Sequence, residues 1–183
     1  MTTKGNLYLI GPMGSGKTAV GRELARVLGK RFYDSDAEIE RRTGVDIPFI
    51  FQKEGEQRFR EREADVIAEL TGLADVVVAT GGGAVLSPAN RERLSTTGTV
   101  VYLRASVAEQ LNRTRLTRNR PLLETEDPRA VLEGLAAARE PLYQEIADLC
   151  VDTTNRQVRH VVTAIRQLLE SRSRRGGVQP LQN

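Results

Sequence analysis

Apolar positions along the chain fall into two spacings. Short continuous runs of strand length recur at Asn6–Ile10 (NLYLI), Val76–Ala79 (VVVA), Thr99–Leu103 (TVVYL) and Leu149–Asp152 (LCVD). RFYDSD, from Arg31, predicts a further short strand that ends in acids. Between these runs the apolar residues return every three or four positions. From Lys17, the residues Val20, Leu24, Val27 and Leu28 predict a helix that Gly29 stops. Helices are also predicted from Asp36 to near Gly44, and over Glu56–Leu70 with Phe59, Ile67 and Leu70 on related faces. Another starts at Ser87–Pro88, and another follows Ser106 as its cap. Pro128–Ile146 reads as a helix interrupted at Pro141, because proline lacks the backbone donor. The clearest stripe is the last, formed by Val158, Val161, Val162, Ile165, Leu168 and Leu169.

Five short apolar strands with helices between them predict an α/β fold, a parallel sheet covered on both faces. Its 183 residues suit one domain, taken as residues 1–170. Residues 114–127 (TRLTRNRPLLETED) break the periodicity and are rich in charge, which predicts a loop or small lid over about residues 113–127. There are 27 basic and 24 acidic side chains, a formal net charge of +3. Arg172, Arg174 and Arg175 lie in a tail without acids, residues 171–183, which its composition predicts to be disordered. The rest sums to zero, which argues against a nucleic-acid-binding body. The apolar run Leu7–Ile10 is too short for a signal peptide or a membrane span, so a cytoplasmic protein without membrane partners is expected. Cys150 is the single cysteine and, within LCV, is expected to be a buried structural thiol.

Candidate chemistry begins at GPMGSGKT, Gly11–Thr18. It fits G-x-x-x-x-G-K-[ST], follows a predicted strand and opens a predicted helix, the context the motif requires. Backbone amides around Gly14, Ser15, Gly16 and Ala19 can converge on phosphate oxygens. Lys17 can reach the β- and γ-phosphates, and the Thr18 hydroxyl can ligate Mg²⁺. A nucleoside triphosphate is therefore the expected ligand. No N-K-x-D reads guanine, and the chain is too short for a large ATPase motor. The small size fits a kinase acting on a small molecule, with a nucleotide-binding regulatory module as the alternative.

Asp34 and Asp36 stand at the carboxyl end of the second strand, the sheet edge where ligands bind. Asp34 suits Mg²⁺ held through water, and Asp36 suits a base for an attacking hydroxyl. Asp36 also fits a helix cap, which is compatible with that role. GEQRFRERE reads mostly as a salt-bridged solvated face, with Arg60 singled out beside the core residue Phe59. Arg139 lies just before Pro141, where a helix break would aim it into a cleft. Two arginines and an aspartate suit an acceptor with one carboxylate and several hydroxyls. Arg120, beside Pro121 in the charged loop, is positioned to neutralise charge on transferring phosphate. The triple glycine Gly81–Gly83 ends a strand where close backbone approach to a ligand is expected.

Together, GPMGSGKT, FYDSDAEIERRTG, EGEQRFREREADVI, ATGGGAV, RPLL and REPLYQEIAD resemble the bacterial shikimate kinases over about Asn6–Leu169. The resemblance implies a P-loop kinase fold with strand order 2-3-1-4-5, a lid and a substrate-binding region over about residues 34–63. It implies ATP-dependent phosphorylation of the 3-hydroxyl of shikimate, a step toward the aromatic amino acids, by a monomer that uses Mg²⁺. By motif position it assigns Asp36, Arg60, Gly82 and Arg139 to shikimate. It assigns Arg120 to the ATP phosphates, Thr18 and, through water, Asp34 to the metal, and Arg156 to the adenine side.

Overall fold

The computed structural model describes residues 5–115, 123 and 125–176. Five strands, β1 (Asn6–Ile10), β2 (Arg31–Asp34), β3 (Val76–Ala79), β4 (Gly98–Arg104) and β5 (Leu149–Asp152), form one sheet in the order β2-β3-β1-β4-β5. Every pairing is parallel, with Leu9 opposite both Ala79 and Val101. The helices are α1 (Lys17–Leu28), α2 (Ser35–Thr43), α3 (Ile47–Thr71), α4 (Pro88–Thr97), α5 (Val107–Thr114), α6 (Pro128–Ile146) and α7 (Val158–Gly176). None of the described helices is long and apolar enough to cross a membrane.

Side chains alternate across each strand, so the sheet divides the core in two. Tyr8, Ile10, Val76, Val78, Val100 and Tyr102 pack on one face with residues of α3 and α6. Leu7, Leu9, Val77, Val101, Leu103 and Val151 pack on the other with α1 and α7. Burying each such side chain contributes about 1.5–3 kcal/mol, which is why the central strands carry no polar alternation.

Local chemistry sets the helix boundaries. Asp46, Ser87, Ser106 and Asp127 accept hydrogen bonds from the first turns of α3, α4, α5 and α6. α2 is capped by Asp34, not Asp36: Asp34 Oδ1 accepts the Asp36 and Ala37 amides at 3.0 and 3.2 Å. The strand therefore ends two residues earlier than RFYDSD implied, because the first acid turns back onto the helix. α3 begins nine residues before Glu56 and contains a break at Gly55 (φ 82, ψ 169). Before that point Ile47, Ile50 and Phe51 pack on the core at helical spacing, within a run so apolar (IPFIF) that the stripe does not stand out.

Three other expectations change. α6 runs through Pro141 without interruption. Pro141 and Ala137, whose carbonyl loses its donor, are both exposed, so water can replace the missing bond. Cys150 is exposed, because β5 is an edge strand and only its Val151 side is covered. α7 continues six residues past Glu170, so residues 171–176 are helical, and residues 177–183 of the expected tail lie outside the described residues. In the added turn Arg172 pairs with Asp148 at 2.7 Å, holding it to the end of α6.

Candidate active site

The carboxyl ends of β1, β2 and β3 converge at one edge of the sheet. Thr80 ties two of them together, its amide and hydroxyl both donating to the Leu9 carbonyl at 3.1 Å. Between β1 and α1 the chain forms the phosphate loop. Gly11, Gly14 and Gly16 take φ of +142°, +75° and +88°, conformations that side chains resist. Lys17 folds back into its own loop, donating to the Gly11 and Pro12 carbonyls at 2.7 and 2.8 Å. Ser15 is fully buried, with its Oγ 3.4 Å from the same ammonium. These partners mimic the oxygens of a phosphate and keep a buried cation satisfied.

The loop opens onto a cleft of about 250 Å³. Gly14, Gly16, Lys17, Thr18 and Ala19 line one side; Asp34, Asp36 and Gly82 line the other. Thr18 Oγ1 donates to Asp34 Oδ2 at 2.5 Å. That hydroxyl and carboxylate form an oxygen-only pair, the donor type a small hard cation takes.

The triple glycine has a physical cause in this site. A Cβ on Gly81 would lie 2.5 Å from Glu63 Oε1 and 2.7 Å from Asp36 Oδ1. A Cβ on Gly83 would press into the Arg60 guanidinium. The bare backbone thus lets the protein's own charged groups close on the strand end. Gly82, in ordinary contact with its neighbours, faces both the phosphate loop and Arg139.

Arg60 rests over the Phe59 ring, 5.1 Å from its centroid, and pairs with Glu63 at 2.7 Å and Glu56 at 3.0 Å. Arg139 is buried, one helical turn before Tyr143, and interacts with both Glu63 and Tyr143. Its position follows from the inward stripe Leu132, Arg139, Tyr143 and Ile146, not from a break at Pro141. Two guanidinium groups thus approach the buried Glu63 carboxyl, and Arg60 takes Glu56 as a second partner, so an acceptor carboxylate would share these guanidinium donors with the protein's own acids. Burial pushes the Glu63 carboxyl above the usual carboxylate range, against the pull of Arg60.

Sequence reasoning placed Glu63 on a solvated face, yet its side chain is 1% exposed. A signal existed: Phe59, Glu63, Val66, Ile67 and Leu70 form one helical stripe, so Glu63 lies on the buried side. Arg113 was also missed. It lines the cleft and donates to the Gly14 carbonyl at 3.0 Å and the Thr153 carbonyl at 2.7 Å, joining the phosphate loop to the end of β5. Arg156 is exposed in the turn after β5 and does not line the cleft. Arg120 and most of the expected lid lie outside the described residues.

A parallel sheet with a phosphate loop after its first strand, facing an acid and two arginines, one buried and one half-buried, defines a P-loop kinase of small molecules. The family model described as Shikimate kinase matches residues 13–170. The chain is 53% identical over 176 residues to a shikimate kinase of Methylococcus capsulatus, covering 96% of this chain and 97% of that one. It is 60% identical over 158 residues to a shikimate kinase of Thiobacillus denitrificans, with 86% of each covered. The solved shikimate kinase from Acinetobacter baumannii in complex with shikimate superposes with a TM-score of 0.90 at 50% identity, over 92% of this chain and 94% of that one. The chain belongs to the shikimate kinase family.

Proposed function

We propose that the chain transfers the γ-phosphoryl group of ATP to the 3-hydroxyl of shikimate, and that the cleft residues divide the work as follows. Asp36 orients the hydroxyl and accepts its proton as the oxygen–phosphorus bond forms and the bond to ADP breaks. Lys17 leaves its loop carbonyls for the β- and γ-phosphate oxygens, exchanging like partners for like. The amides of Gly14, Ser15, Gly16 and Ala19 cradle the phosphates at the start of α1. Arg60 and Arg139 hold the acceptor carboxylate, and Gly82 presents backbone to its ring.

Thr18 and Asp34 would hold Mg²⁺, Asp34 through water, and their oxygen pair fits that ion. The chemistry such an ion would supply is positive charge against the transferring phosphoryl group. Arg120 is assigned to the phosphates and Arg156 to the adenine side by motif position alone. We place the enzyme in the cytoplasm as a monomer without nucleic-acid or membrane partners; the small net charge supports the absence of a nucleic-acid partner.

The observation that carries the reading is convergence. The phosphate loop, Asp36 and Gly82 line one cleft, with both arginines against the glycine segment beside it. ADP release should require shikimate and be absent with gluconate or AMP. Asp36→Asn should keep ATP affinity and lower turnover by about 10²–10⁴-fold. Near-normal turnover in that variant would remove Asp36 from the base role.

A further inference from the structure

The Gly82–Gly83 peptide lies between the two arginines of the site. A Cβ on Gly82 would stand 3.6 Å from an Arg139 nitrogen, and one on Gly83 would meet the Arg60 guanidinium. The rotation of this peptide therefore decides what surface each arginine rests on. Two consecutive glycines leave that rotation almost unrestricted by sterics.

The carbonyls of the triple glycine are held in two ways. Those of Gly81 and Gly83 accept local amides, from Ala84 at 3.1 Å and Leu86 at 3.0 Å. The Gly82 carbonyl instead accepts the Tyr143 hydroxyl at 2.5 Å, from a residue 61 positions away. Tyr143 is itself fixed. It is 2% exposed, and its ring stacks on Tyr102 with centroids 5.0 Å apart. The Tyr102 hydroxyl is anchored on Glu140. Burial pushes the Tyr143 hydroxyl up to about 12, so it remains a donor at neutral pH.

We propose that Tyr143 is a positioning residue for the acceptor: its hydroxyl fixes the Gly82–Gly83 peptide and, through it, the spacing of Arg60 and Arg139. The proposal rests on the reading of those arginines as the carboxylate clamp. Tyr143 touches neither substrate in this role; it acts through the peptide and through its own contact with Arg139.

Tyr143→Phe removes the hydroxyl and keeps the stacked ring. It should raise the shikimate KM about tenfold, as expected when a buried carbonyl loses its donor. The ATP KM should stay within about twofold. Tyr102→Phe, which removes a hydroxyl from the same stack without touching Gly82, should leave both KM values within about twofold. An unchanged shikimate KM in Tyr143→Phe, or an equal rise in Tyr102→Phe, overturns the proposal. A folding defect would lower kcat by shrinking the active fraction and would leave KM unchanged, and that pattern also overturns it. The carboxamide of shikimate supplies a second readout, because the Tyr143→Phe deficit should shrink when the acceptor has no carboxylate. Arg139→Ala in the same assays separates the two layers. If it leaves the shikimate KM unaltered, the clamp reading itself fails; if it raises that KM and Tyr143→Phe does not, only the role of Tyr143 fails.

Discussion

Gly83 shows how one residue can be needed for function and not for stability. Its backbone (φ −95°, ψ 0°) is open to any side chain, yet an added Cβ would press into Arg60. The obstructed atoms are the end of a flexible side chain; swinging it away breaks the pair with Glu63 but leaves Arg139 beside that buried carboxyl, whose ionisation burial already disfavours. Gly83→Ala should therefore stay within about 1 kcal/mol of the parent in stability. Its shikimate KM should rise about 10–100-fold, the usual scale for a displaced charged hydrogen-bonding group. Thermal melts and acceptor titrations check this together, and a large stability loss with unchanged KM would refute it. The glycine run announced itself in the sequence, but as backbone left bare for a ligand. That its neighbours were Arg60, Glu63 and Asp36 could not be read there, because these groups come from two other segments.

Among the elements, α1 has the sharpest packing constraint. A methyl on Gly21 would gain about 1 kcal/mol of helix propensity. It would also stand 2.6 Å from the Phe32 ring and 3.1 Å from Leu9 Cδ1. Leu9 is fully buried in the central strand, and Phe32 is packed against the same core and under Arg22. Overpacking of this kind costs about 1–3 kcal/mol, so Gly21→Ala should be destabilising on balance. A fall in Tm of a few degrees is expected, with both KM values unaltered. A stabilised variant would mean that the helix–sheet contact is looser than it stands here. Legibility at this scale followed periodicity. α1 and α7 were clear because each carries one apolar stripe and α5 through its Ser106 cap, whereas the stripe of α3 before Gly55 is masked by a continuous apolar run, and the capping at Asp34 depended on local hydrogen bonds that periodicity does not register.

For the molecule as a whole, two apolar layers on one sheet account for the core, and among the described residues the exposed surface has little left to bury. The exposed large apolar residues Val27, Phe49, Leu86, Val158 and Leu168 sit on α1, α3, the turn before α4, and α7, not on one element. Stable homodimers commonly bury an apolar patch of well over 1,000 Å². Sedimentation equilibrium should thus return one species near the chain mass of 20.2 kDa, and a concentration-dependent dimer would overturn the proposed monomer. The sequence by itself determined the α/β class, the phosphate loop, most element positions and, through an ordered set of motifs, the family. Each of these depends on neighbours within a few residues, or on short segments in a fixed order. Tertiary structure decided the rest: that Arg139 is aimed by a helix stripe, that Glu63 is buried beside Arg60, and that Arg113 and Tyr143 reach the phosphate loop and Gly82. Those contacts join residues up to 99 positions apart. Their geometry exists only once parallel strands bring their carboxyl ends to one edge and the helices fix what each side chain faces.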